Sequence, residues 1–66
     1  MSEEQYNEVI KYRGILEMFH KCREYIGGAD GLMNYYGMKD QRCQGCVGSF
    51  LIDRYNDMIR YEEANN

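Results

Sequence analysis

Apolar side chains recur at helical spacing along the first and last thirds of this chain, and no proline interrupts either run. Tyr6, Val9, Ile10, Leu16, Phe19 and Ile26 share one face, which Tyr12 and Cys22 widen. Val47, Phe50, Leu51, Tyr55, Met58 and Ile59 form the second stripe, while Asp53, Arg54, Asp57 and Arg60 mostly take the opposite side. Ser2 followed by Gln5 reads as a capping box, and Glu3 and Glu4 complement the positive end of a helix dipole. Glu17 and Lys21 form an i,i+4 pair in the favourable order. These signals predict a first helix over residues 3–26, stopped by Gly27-Gly28, whose one weak point is Gly14. They predict a last helix capped by Asp40 and running to about residue 63.

Residues 27–45 are read in two ways. Asp30 would cap a short helix over about residues 31–36 ended by Gly37, or the segment is an irregular loop, because Gly31 and Asn34 are poor helix-interior residues. The expected fold is therefore all-α: two long antiparallel amphipathic helices with a short helical or irregular connector, a helical hairpin or small three-helix bundle. Sixty-six residues make a single domain, since a chain this short has no surplus for a second core. Two helices alone leave part of each stripe wet. The connector, a second copy or another protein must cover it.

Composition removes several classes of function. A hydrophobic fraction of 44% argues against a disordered tail. Eight Lys and Arg are dispersed among eleven acids for a net charge of -3, and the nearest thing to a basic cluster is Lys39 with Arg42, so nucleic acid is not the expected partner. The start has no basic region followed by an apolar run, and no apolar stretch reaches the roughly 20 residues a membrane span needs. Three cysteines are an odd count and a poor secreted framework. The expected location is the cytoplasm, or a particle assembled there.

The sharpest motif is Cys43-Gln44-Gly45-Cys46, in which two thiols three residues apart make half of a zinc site. His20 and Cys22 do not supply the other half from one helix, because their side chains point about 200° apart. A zinc site would therefore use Cys22, Cys43 and Cys46 with an outside ligand; the alternative is that Cys22 and Cys46 are buried apolar fillers. A redox role is disfavoured because no strand precedes the motif. His20 is the only histidine and lies between Glu17 and Glu24, as a solvated residue would. No phosphate-binding loop or metalloprotease motif is present, and the chain is not expected to be an enzyme.

The connector carries the candidate binding surface. Leu32, Met33, Tyr35, Tyr36 and Met38 set adjacent tyrosines beside flexible methionines, a composition favoured at interfaces. The competing reading is that these residues plug the open end of the hairpin and complete the core.

Residues 43–52, Cys-Gln-Gly-Cys-Val-Gly-Ser-Phe-Leu-Ile, followed by Tyr55, resemble a pattern found in small bacteriophage-encoded helical proteins, where a CxxC opens the last amphipathic helix. The resemblance covers roughly the last third of the chain. It implies an accessory role, as a structural component or an inhibitor of a host protein, in the host cytoplasm or the assembled virion. The expected function is thus a small non-catalytic protein-interaction protein, working with a protein partner or as a homo-oligomer and needing no cofactor. A zinc-stabilised binding module and a helix-turn-helix regulator are the alternatives.

Overall fold

The computed structural model describes residues 1–23, 28–38 and 44–65. The fold is all-α, with no strand among the described residues. Helix α1 spans Glu3–Val9 and opens on the expected capping box: the Gln5 backbone N–H donates to Ser2 Oγ at 3.2 Å, and the Ser2 N–H donates to Gln5 Oε1 at 3.0 Å. Two donors that the first helical turn leaves unsatisfied are thereby met.

The segment expected to form one helix over residues 3–26 is helical over residues 3–21 but is not one regular α-helix, and positions 24–27, with part of the expected Gly27-Gly28 stop, lie outside the described residues. The chain tightens into a 3₁₀ turn at Ile10–Tyr12 before α2 takes over at Arg13–Lys21. Val9 and Ile10 are β-branched, Tyr12 is aromatic, and Gly14 follows, so helix propensity is lowest here. The turn leaves Ile10 at 37% exposure, although its spacing had placed it in the buried stripe. Helix α2 then ends at Lys21, earlier than predicted, because Cys22 adopts an extended backbone (φ -131°, ψ 105°). The reason is the return path. By Gly28 the chain is already back against α2, where a side chain would come within 3.0 Å of Ile15 Cδ1. A helix carried on to residue 26 would leave too little chain to double back. Gly28 sits at φ +85°, which a glycine adopts at little cost.

A short helix, α3 at Asp30–Tyr35, follows, resolving the two readings of the connector in favour of the helix. Its N-cap is Ala29, not Asp30, with no side-chain cap bond. Its end is the predicted one. Gly37 takes φ +74°, the Met38 N–H donates to the Met33 carbonyl at 2.7 Å, and the Gly37 N–H donates to the Asn34 carbonyl at 3.0 Å. This is the paired bonding of a Schellman cap. The last helix, α4 at Gln44–Ala64, has 21 residues and is about 31 Å long. The N-cap assigned to Asp40 lies outside the described residues. No helix among the described residues is long and apolar enough to cross a membrane.

Packing joins the beginning of the chain to its end. Tyr6 of α1 stacks on Tyr61 of α4 with centroids 4.4 Å apart, His20 near the end of α2 stacks on Tyr55 at 4.5 Å, and Phe19 rests against Gly48. Partners on α4 thus fall to lower numbers as α1 and α2 advance. One buried cluster runs through the molecule: Val9, Leu16 and Phe19 from the early helices, Val47, Phe50, Leu51 and Met58 from α4, and Ala29, Leu32 and Met33 from the connector. The connector does cover the stripes. Positions 29, 32, 33 and 36 are i, i+3, i+4 and i+7, so a helix of six residues and its flanks present one apolar face.

Two glycines on these elements have opposite reasons. A methyl on Gly31 would overlap the Tyr12 hydroxyl, which lies directly over α3, whereas a methyl on Gly14 would meet nothing within 4 Å. Gly14→Ala is therefore expected to raise stability by about 0.5–1 kcal/mol. Gly31→Ala should lower it, and by less in a Tyr12→Phe background, where the overlapping oxygen is gone. Urea melts of the four variants check this. Leu32→Ala should cost about 2–4 kcal/mol, most of the roughly 3–5 kcal/mol available to so small a core, so the variant should be largely unfolded by circular dichroism. Tyr35→Ala, at 39% exposure, should shift the melt by less than about 1 kcal/mol.

Candidate interaction groove

The five connector residues expected to face a partner are not brought together as a surface. Leu32 and Met33 are buried in the chain's own core, so neither is offered to a partner. Tyr36 and Met38 are half-buried and packed against that core. Only Tyr35 is exposed, edge-on to Tyr36 at 5.2 Å. The cause is the helical turn of α3, which puts positions 29, 32, 33 and 36 on one face, toward the core, and Tyr35 on the other. Tyr36 in turn meets Phe50 edge-on at 5.4 Å, and the Arg54 guanidinium lies 5.0 Å from the Tyr36 ring centre and 5.3 Å from that of Phe50. Burial pushes the Tyr36 phenol above its ordinary range, while Arg54 opposes the shift. Arg54 also donates from Nη2 to Asp57 Oδ2 at 2.9 Å, and its buried Nε has no hydrogen-bond partner among the described residues. The aromatic faces partly compensate that desolvated cation.

The cysteines are not packed as the buried-filler reading expected. Cys22 and Cys46 are exposed, not buried fillers. Cys43 lies outside the described residues, so the CxxC motif is described only at its Cys46 end. Among the described residues no group of three His, Cys, Asp or Glu is gathered to hold a metal ion. His20 lies flat on Tyr55, with ring planes 16° apart.

Two hollows flank the seam between the early helices and α4. The first holds a polar cluster. Glu62 accepts hydrogen bonds from both the Arg13 guanidinium and the Tyr6 hydroxyl, the latter at 2.7 Å, and the Tyr61 ring closes the side. Arg13 also reaches Glu17 from Nε at 3.2 Å, taking the acid that the sequence had paired with Lys21. The hydrogen bond from Arg13, then that from Tyr6, holds the Glu62 carboxyl below its ordinary value. Its bond to Glu62 raises the Tyr6 phenol. This cluster ties α1 and α2 to the end of α4.

The second hollow is an open groove of about 580 Å³ at the other end of the seam, lined by Phe19, Arg23, Gly45, Gly48, Ser49 and Ile52. Its floor is one face of α4, where small residues at positions 45, 48 and 49 run up to Ile52 at i+7. Phe19 leans on that floor so closely that a methyl on Gly48 would come within 3.3 Å of its Cζ. Arg23, just beyond α2, holds its guanidinium 5.7 Å from the Phe19 ring centre. The lining is mainly apolar with one cation and one hydroxyl, the composition of a site that seats an apolar group and orients it by a polar contact.

No protein-family model, curated protein or solved structure matches this chain. The site has to be read from its own geometry. The sequence reading missed the groove, yet its signal is present: Gly45, Gly48 and Ser49 put three small residues at one-face spacing at the start of an amphipathic helix.

The polar cluster makes a pH prediction. Because the fold holds Glu62 below the ordinary carboxylate value of 4.5, its contribution to stability is complete above that pH and is lost as pH falls through the lower folded value. The melting-temperature gap between the native chain and Glu62→Gln should be constant near neutrality and close on acidification. A gap that persists into strong acid would show that the carboxylate is not what the cluster uses.

Proposed function

We propose that this chain is a small non-catalytic protein-interaction protein, an antiparallel helical hairpin closed by α3 that binds a partner protein through the groove beside Phe19 and Arg23. The observation that carries the reading is the groove's floor. Gly45 and Gly48 each cost about 1 kcal/mol of helix propensity relative to alanine, in a chain whose whole stability is only a few times that. The contact with Phe19 accounts for Gly48 in part. What the small face leaves is open, mostly apolar space on a chain whose connector otherwise caps its core. The accessory role implied by the resemblance to bacteriophage proteins suits such a scaffold, since a structural component or an inhibitor needs one docking surface and no reacting group.

The test fills the groove without touching the core. Ser49 is exposed on α4, so Ser49→Trp should occupy the space without lowering the thermal melt, and should raise it to the extent that the ring buries apolar area there. Partners recovered from the native cells by the tagged chain should be lost with Ser49→Trp by about tenfold or more, a difference of about 1.4 kcal/mol in binding. Recovery of the same partners in the same yield by both proteins would overturn the reading.

A further inference from the structure

The groove's lining favours one kind of occupant. Among the described residues that line it, Arg23 alone is charged, and it is a cation in a chain of net charge -3. Among the described residues Lys11 pairs with Glu8, Arg13 with Glu17 and Glu62, and Arg54 and Arg60 with Asp57, which leaves Lys21 and Arg23, and of these two only Arg23 lines the groove. Arg23 has no carboxylate within ion-pair distance among the described residues, and its guanidinium lies over the Phe19 ring. A guanidinium that lies over a ring at that distance makes no hydrogen bond to it, so its in-plane N–H donors remain available to a carboxylate. Beside it, Phe19 and Ile52 offer apolar walls, and the small residues between them let another backbone come close. The distance between packed helices is set by the side chains at the contact, and here those side chains are hydrogen, hydrogen and a hydroxymethyl group.

We propose that the groove receives an acidic amphipathic helix of a partner protein, with an apolar side chain seated between Phe19 and Ile52 and a carboxylate one turn away paired with Arg23. The proposal rests on the interaction reading above and adds the chemistry of the partner. The chain's overall charge works in the opposite direction. A protein of net charge -3 attracts basic peptides through long-range forces, so a preference for an acidic one must come from the local cation.

Two labelled peptides of about 15 residues, long enough to be helical when bound, separate the effects. Both carry leucines along one face; one has glutamates on the flanks of that face and the other has lysines at the same positions. In fluorescence anisotropy at about 0.15 M salt, where charges beyond roughly 8 Å are screened, the native chain should bind the glutamate peptide about tenfold more tightly than the lysine peptide. Arg23→Glu, a change at an exposed position that should not alter the melt, should reverse that order. Ser49→Trp should abolish binding of both. Equal affinity for the two peptides, an order that survives Arg23→Glu, or no binding of the glutamate peptide at millimolar concentration would each overturn the proposal. Recovery of the native partner keeps the two readings apart. A partner lost with Ser49→Trp but retained with Arg23→Glu leaves the groove as the docking surface and removes the acidic helix. A partner indifferent to Ser49→Trp removes both.

Discussion

Burial of Leu32 and Met33 between the early helices and α4 is the contact on which the rest of the structure depends. Two amphipathic helices share one seam, and each apolar stripe is broader than the other can cover. Ala29, Leu32, Met33 and Tyr36 supply the missing third surface from within the chain. That requirement propagates outward. The chain must leave α2 at Cys22 to bring Ala29 back to the seam, and Gly28 must take a positive φ to lie beneath Ile15. Gly31 must lack a side chain because the Tyr12 hydroxyl crosses α3 there, and Gly37 must release the chain in a Schellman cap before α4 begins. Glycine placement in the connector thus follows from closing one seam with few residues.

The two ends of that seam are finished in different chemical terms. At the end of α4, Glu62 collects Arg13 and Tyr6, and the stacked Tyr6 and Tyr61 rings lie alongside. Exposed ion pairs contribute little to net stability, so the value of this cluster lies in fixing the register of α1 and α2 against α4. Near the connector Arg54 plays a related part, spreading its charge over Tyr36 and Phe50 while pairing with Asp57. At the start of α4, by contrast, no comparable network joins the helices among the described residues. Phe19 rests on Gly48 there, and the small residues beside it leave a groove.

Much of this was legible in the sequence wherever a local rule had no competitor. The Ser2–Gln5 capping box, the Gly37 stop and the apolar stripe of α4 appear as read, because each depends on residues within a few positions of one another. The failures came where a distant contact overrode local spacing. Periodicity carried the first helix through Ile10 and on to residue 26; the tight turn at Ile10–Tyr12 reflects weak local propensity that the stripe outweighed in the reading, and the exit at Cys22 answers to the return of α3, which a single-helix pattern does not reveal. The same blindness made Leu32 and Met33 look like a surface. Their neighbours Tyr35 and Tyr36 suggested an interface by composition, whereas the i, i+3, i+4, i+7 relation starting at Ala29 shows a core face. Ala29 was passed over because alanine carries so little hydrophobic signal.

The groove escaped for a related reason. A site defined by missing volume leaves no conspicuous residue in a sequence, and Gly45 and Gly48 read more readily as companions of the cysteines than as a floor. Their physical meaning emerges from Phe19. A large ring seated on a helix backbone needs a position without a side chain beneath it, which accounts for Gly48. It does not account for the openness of the space running from Arg23 to Ile52. Filling that space with a single larger side chain would be the cheapest way for a marginal 66-residue fold to gain stability, since buried apolar area contributes roughly 25 cal/mol per Å². A chain that instead keeps glycine and serine there forgoes several such increments at an end of its seam where, among the described residues, no polar cluster compensates. The simplest physical reason for leaving that surface unfilled is that something else fills it.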